Sequence, residues 1–189
     1  MNRARRGYTV VELMMSLAVF AAGVTGIIAM QRATVSSNQL AKNITTADGI
    51  AQAWLSQLAA ESSLWRSGGL APTLWLKTVN ASDGVWQLPA WDATRKFGAQ
   101  FDGFGAPVQA DGVFCTHVRL TWLYGNNANQ ATGNGLLRAE VRVFWPRDGV
   151  TRVTGDCTNS AQNLIDQVGA ATGTYHFVVH AGGVRAVMN

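Results

Sequence analysis

Hydrophobic and polar positions divide the chain into three textures. From Tyr8 to Met30 the residues are apolar almost without interruption, and Glu12 is the segment's only formal charge. About 20 such residues suffice to cross a bilayer as a helix, so the segment predicts a membrane-spanning half-helix. No proline occurs between Tyr8 and Leu64, and past Met30 the pattern turns amphipathic. Leu40, Ile44, Ala47, Ala51, Trp54 or Leu55, and Leu58 recur at steps of three and four, which marks one face of a continuing helix. The second half of this long helix therefore needs a partner to cover its apolar stripe.

Beyond Trp65 the texture changes to glycine, tryptophan and turn residues. Ser67-Gly68-Gly69 predicts a helix stop and Ala71-Pro72 prevents its resumption. Between Thr73 and Gln109 periodicity is weak, which predicts loops with one or two short strands. From Val113 to Tyr124, Val118, Leu120, Trp122 and Tyr124 alternate with His117, Arg119, Thr121 and Leu123. From Leu137 to Trp145 the alternation puts Leu137, Ala139, Val141, Val143 and Trp145 inward and Arg138, Glu140, Arg142 and Phe144 outward. Gly125 to Gly135 reads as the loop between these strands. Two further strands are expected at Thr174–His180 and Val184–Met188, turned by Gly182-Gly183. The predicted fold is α+β: a long N-terminal helix, its first half in the membrane, whose amphipathic half packs on a C-terminal antiparallel sheet of about four strands.

Charge sharpens the start of the chain. Of the 15 Lys and Arg, Arg3, Arg5 and Arg6 precede the apolar run as a cytoplasmic n-region, with Gly7 at the junction. Removing those three leaves 12 basic against 11 acidic residues. That near-neutral balance argues against nucleic acid as a partner. Cys115 and Cys157 both fall in the region expected to face the periplasm, an oxidising compartment where a disulfide is the default.

Catalytic chemistry is not encoded in any recognisable pattern, so an enzyme is not expected. There is no Ser-His-Asp order, phosphate-cradling glycine loop or dinucleotide fingerprint. His117, His176 and His180 are the only imidazoles and lack acidic companions at metal spacing, so no metal or other cofactor is expected. Asp83-Gly84, Asp102-Gly103 and Asp111-Gly112 suit tight turns and do not space out into an EF-hand calcium loop. Trp65, Trp75, Trp86 and Trp91 crowd the weakly patterned segment, where they either fill a core beneath loops or anchor a partner.

Glu12 carries the functional argument. A carboxylate in the bilayer interior costs roughly 2.5 to 3.5 kcal/mol on insertion scales, so it needs a partner or a task. Arg5-Arg6-Gly7-Tyr8-Thr9-Val10-Val11-Glu12-Leu13 running into a long apolar helix resembles the class III signal of type IV prepilins and type II secretion pseudopilins. The resemblance implies that a prepilin peptidase cuts between Gly7 and Tyr8 and N-methylates Tyr8, where the family more often has Phe. Glu12 would then lie one turn from a free cationic amine on the same helical face, and would pair with its own amine or that of a neighbouring subunit during assembly. Gly23-x-x-Gly26, the following Ile27-Ile28-Ala29-Met30-Gln31-Arg32, and Asn38-Gln39 most resemble PilV-type minor pilins. Gly23 and Gly26 would serve close helix packing or local melting during filament formation.

The resulting layout is a leader at 1–7, a membrane half-helix at 8–30, an amphipathic half at 31–64 and a periplasmic head at 65–189. The expected partners are the prepilin peptidase, other major and minor pilins, a pilus-tip adhesin and the inner membrane. The expected path runs from inner membrane to pilus fibre or tip. Competing readings are an ordinary secretory signal cut near Ala21-Ala22-Gly23, which Glu12 opposes, and a twin-arginine signal built on Arg5-Arg6. For the whole protein the rivals are a type II secretion pseudopilin, a membrane-anchored DNA- or surface-binding module, and an envelope enzyme with an uncleaved anchor.

Overall fold

The computed structural model describes residues 9–65, 69–125, 135–148, 157–158 and 160–186. Contacts divide the chain into two units, Met1–Lys42 and Asn43–Asn189. Helix α1 (Val10–Glu61) begins in the first and ends in the second.

In the first unit every described residue is exposed, apolar ones such as Leu13, Leu17, Phe20 and Ile27 included. The stretch is long and apolar enough to cross a membrane. Its hydroxyls are satisfied on the helix itself: Ser16 donates to the Leu13 carbonyl, Thr25 to Ala21 and Thr34 to Met30. Such back-bonding leaves no hydroxyl proton to be solvated by lipid. α1 continues unbroken through Gly23 and Gly26, and a Cβ at either position would meet nothing within 4 Å.

The second unit is built on a six-stranded antiparallel sheet. Three strands are only two residues long: β1 (Trp86–Gln87), β2 (Gln100–Phe101) and β3 (Pro107–Val108). Three are 11 residues long: β4 (Phe114–Tyr124), β5 (Leu136–Pro146) and β6 (Tyr175–Arg185). The order is β3-β2-β4-β5-β6, with β1 also paired to β4. A short helix, α2 (Gln162–Ala170), precedes β6. Ala47, Ile50, Ala51, Trp54 and Leu58 of α1 form one core with Val118 and Leu120 of β4 and with Leu137, Ala139, Val141, Val143 and Trp145 of β5. The helical stripe thus becomes core from Ala47 onward, whereas Leu40 and Ile44 are exposed.

Several expectations change. The residues assigned outward on β5 are not all solvated, since Glu140, Arg142 and Phe144 are buried. That face is covered by a second core of Ala99, Cys115, Phe144, Cys157 and Val168, the last from α2. Gly182-Gly183 is not a turn. β6 runs straight through it, pairing Gly182 with Ala139 and Gly183 with Arg138, and a Cβ at Gly182 would come 3.4 Å from Leu55 of α1. That is ordinary contact distance, and both glycines are simply ladder residues of a continuous strand. α1 gives way at Glu61 to a 3-10 turn, Ser62–Leu64. Ser67 and Gly68, the loop at 126–134 and residues 187–188 of the expected last strand lie outside the described residues.

Candidate functional site

The first turn of α1 is closed by a reciprocal cap. The backbone and hydroxyl of Thr9 each donate to Glu12 Oε2 at 3.2 Å, and the Glu12 amide donates to Thr9 Oγ1 at 3.2 Å. This is a capping box, which satisfies helix donors that have no intrahelical partner. Thr9-Val10-Val11-Glu12 carries its sequence signature, a signal that the charge argument passed over. The cap turns the carboxylate back toward the start of the helix, where its charge also favours the positive end of the dipole. Gly7 and Tyr8, the expected cleavage and methylation positions, lie outside the described residues.

In the head, Cys115 on β4 and Cys157 are joined by a disulfide with Cα atoms 5.8 Å apart. The bond ties the segment before α2 to the sheet. Beside it lies a polar cluster that strand parity did not reveal. His117 is fully buried, with its ring 4.9 Å from that of Phe144. Arg142 Nη2 stands 2.7 Å from His117 Nδ1 and donates to the Ile165 carbonyl of α2 at 3.0 Å. An arginine only donates, so Nδ1 accepts and the imidazole proton sits on Nε2. Burial, reinforced by the charge of Arg142, pushes the His117 pKa down to about 3. Burial also lowers Arg142 to about 10, with Asp166 opposing that shift and Arg119 adding to it. Trp86 lies between Arg119 and Arg142, each guanidinium 4.6 Å from its ring.

Trp65 and Trp75 are buried in the main core, while Trp86 and Trp91 are half-buried. His176 and His180 share the helix-facing side of β6, where His180 pairs with Asp48 of α1 at 2.5 Å. The Asp-Gly pairs make turns: Asp83 accepts from the Trp122 amide, and Asp102 accepts from Phe104 and Ala106. Among the described residues no three His, Cys, Asp or Glu converge to hold a metal. Glu61 was not anticipated. This buried carboxylate accepts from the amides of Leu74, Trp75 and Leu76 at 2.9, 2.9 and 3.1 Å, anchoring the loop that follows α1.

Residues 2–28 match the family model described as the prokaryotic N-terminal methylation motif. Comparison of the chain with curated proteins and with solved structures finds no match. A methylation motif leading into a long apolar helix, which packs distally on an antiparallel sheet, supports a protein of the general type IV pilin or pseudopilin kind. That kind is structural rather than enzymatic, is processed by a prepilin peptidase, and assembles with other pilins from a membrane-anchored state.

Proposed function

We propose that the chain is a minor type IV pilin of the PilV type. The prepilin peptidase removes residues 1–7 by cutting between Gly7 and Tyr8 and methylates the Tyr8 amine. The head faces the periplasm while the N-terminal helix is in the inner membrane, and the subunit then enters the pilus or its tip to prime assembly and present a tip adhesin. The observation that carries this reading is the methylation motif at 2–28 with Glu12 held on the first turn of α1. Once Tyr8 is the terminus, its amine lies one residue before Thr9, whose amide Glu12 already accepts. The carboxylate is thus positioned for an amine, its own or a neighbour's, in a medium that strengthens the pair.

Mass spectrometry of the mature N-terminus tests processing: it should begin at N-methylated Tyr8. Glu12→Ala should leave the protein in the inner membrane and abolish its incorporation into pili. A mature chain beginning near Gly23 would refute the processing, and normal pilus entry of Glu12→Ala would refute the role of the carboxylate. Recovery of the protein with a type II secretion apparatus and not with pili would favour the pseudopilin reading.

A further inference from the structure

The two edges of the head's sheet are built differently. One ends in β3, two residues long with Pro107 as one of them. Shortness and proline are devices by which native proteins blunt an edge. The other ends in β6, which holds an unbroken register with β5 over 11 pairs. Among the described residues no strand pairs with its outer side. From His176 to Val184 it contains no Lys, Asp, Glu or Pro, and no bulge twists it away. A long, regular edge without lysine, carboxylate or proline is a template for strand addition.

The chemistry of the edge defines what would add to it. On the outer face Val179 is 55% exposed and Phe177 half-buried, whereas Ala181 and Gly183 offer almost no side chain. Large residues thus give way to small ones at His180. An antiparallel strand would complement this with small side chains opposite Phe177–Val179 and larger ones opposite Ala181–Gly183. Charge fixes one end. The outer face of β4 and β5 carries Arg119, Arg138 and Arg142, with Glu140 between the first two and Asp166 of α2 acting on the third. Glu140 is already divided between Arg119 at 2.6 Å and Arg138 at 2.8 Å. Arg138, with its side chain 52% exposed, stands cross-strand from Gly183 beside the edge.

We propose that the outer edge of β6 receives an antiparallel strand donated by another polypeptide, uncharged over its middle and bearing a carboxylate at the end beside Gly183 and Arg138. A second copy of β6 is the wrong occupant. Tyr175–Arg185 contains no carboxylate, so a second copy could not set one beside Gly183 and Arg138.

The test uses the full chain in detergent micelles and a synthetic peptide, acetyl-Glu-Thr-Ile-Val-Ile-Thr-Ala-Ala-Ala-Thr-amide, with amide hydrogen exchange as readout. In the free chain, β6 amides directed away from β5 should exchange faster than those bonded to it, and the peptide should protect them. The same peptide with Gln for its Glu should bind about fivefold more weakly, the scale of one exposed ion pair. The peptide of reversed sequence should also lose affinity. Val179→Lys places a natural edge blocker on an exposed site; it should abolish protection while leaving the thermal midpoint unchanged. The proposal fails if the outward amides are already protected in the free chain, if no protection develops up to millimolar peptide, or if Val179→Lys binds as well as wild type. Protection that rises with protein concentration in the absence of peptide would name a second copy as the occupant and overturn the proposal.

Discussion

Replacing His117 should remove a large part of the head's pH sensitivity. The ring is fully buried on the outer face of the sheet, tilted 58° against that of Phe144 and accepting from Arg142 at Nδ1. Arg142 is the charged group that acts on it, and Asp166 on α2 and Arg119 on β4 act in turn on Arg142. With a folded pKa of about 3 against 6.5 for the unfolded chain, the neutral form is favoured by the fold. The corresponding stability is therefore complete above pH 6.5 and is lost as pH falls toward 3, because only the unfolded state binds the proton in that window. The full range amounts to about 5 kcal/mol, of which about 2 kcal/mol is lost between pH 7 and pH 5. His176, lowered by burial and then by Arg147, adds in the same direction and belongs in the control set. Urea unfolding of the full chain in micelles can be followed by tryptophan fluorescence, since all seven Trp lie between Trp54 and Trp145. His117→Gln keeps an acceptor for Arg142, so the quantity to compare is the slope of stability with pH. The variant should lose about 2 kcal/mol less than wild type between pH 7 and pH 5; equal slopes would show that His117 is not the buried neutral group described.

Glu61→Ala strands three amides around a buried site and should lower unfolding stability by about 3 kcal/mol, with Glu61→Gln intermediate; an unchanged urea midpoint would refute the anchoring role. Cys115→Ser with Cys157→Ser opens a loop whose ends are 42 residues apart. In the chain-entropy model this costs about 4 kcal/mol, measurable as a shift in the same unfolding curve, and free thiols in the native protein would contradict the bond itself. A Cβ at Gly135 would lie 2.5 Å from the Trp65 ring and 2.9 Å from Trp122. Gly135→Ala should therefore cost about 2 kcal/mol by overpacking, whereas Gly173→Ala, with nothing within 4 Å, should be near neutral in calorimetry.

Alternation along β5 and along β4 as far as Trp122 sorted side chains correctly onto two faces of the sheet, because the period of a strand is a property of its backbone; a register shift between Trp122 and Tyr124 takes Tyr124, expected with Trp122, out of that set, opposite Leu136. Alternation could not say what covers the second face. Phe144 within the nominally polar set, and Cys115 on the same face, were the available hints that this side is also packed. The covering helix α2 offers only Ile165 and Val168 as buried residues and has no side-chain cap, so its local signal is weak. Gly182-Gly183 misled for a related reason, since glycine is tolerated within a strand as well as in a turn, and the pairing partners that keep it in β6, Ala139 and Arg138, are remote in sequence. Glu61 was illegible because its partners lie 13 to 15 residues away in a segment without periodicity. At the N-terminus, by contrast, Thr9 and Glu12 are local to one turn, and Thr-x-x-Glu encodes their contact outright.

The division of α1 near Lys42 constrains how the protein can work. From Thr9 to Lys42 every residue is exposed, so this part of the helix contributes to no core among the described residues, and its apolar surface is available to lipid or to other helices. From Ala47 to Glu61 the same helix supplies the head with Ala47, Ala51, Trp54 and Leu58, none with any exposure. The head's main core is therefore incomplete without the end of the helix. Leu/Ile/Met or Phe/Trp truncations in cores cost 2 to 5 kcal/mol each as a rule, on the order of the whole stability of a domain once two are combined. It follows that the helix cannot separate from the sheet to make assembly contacts while the head stays folded. Beyond the chain, α1 offers every side before Asn43 but only the face bearing Gln52, Ser56, Ala59 and Ala60 after Ala47, and further recognition falls to surfaces of the head that α1 does not cover, among which the outer edge of β6 is the longest regular one described.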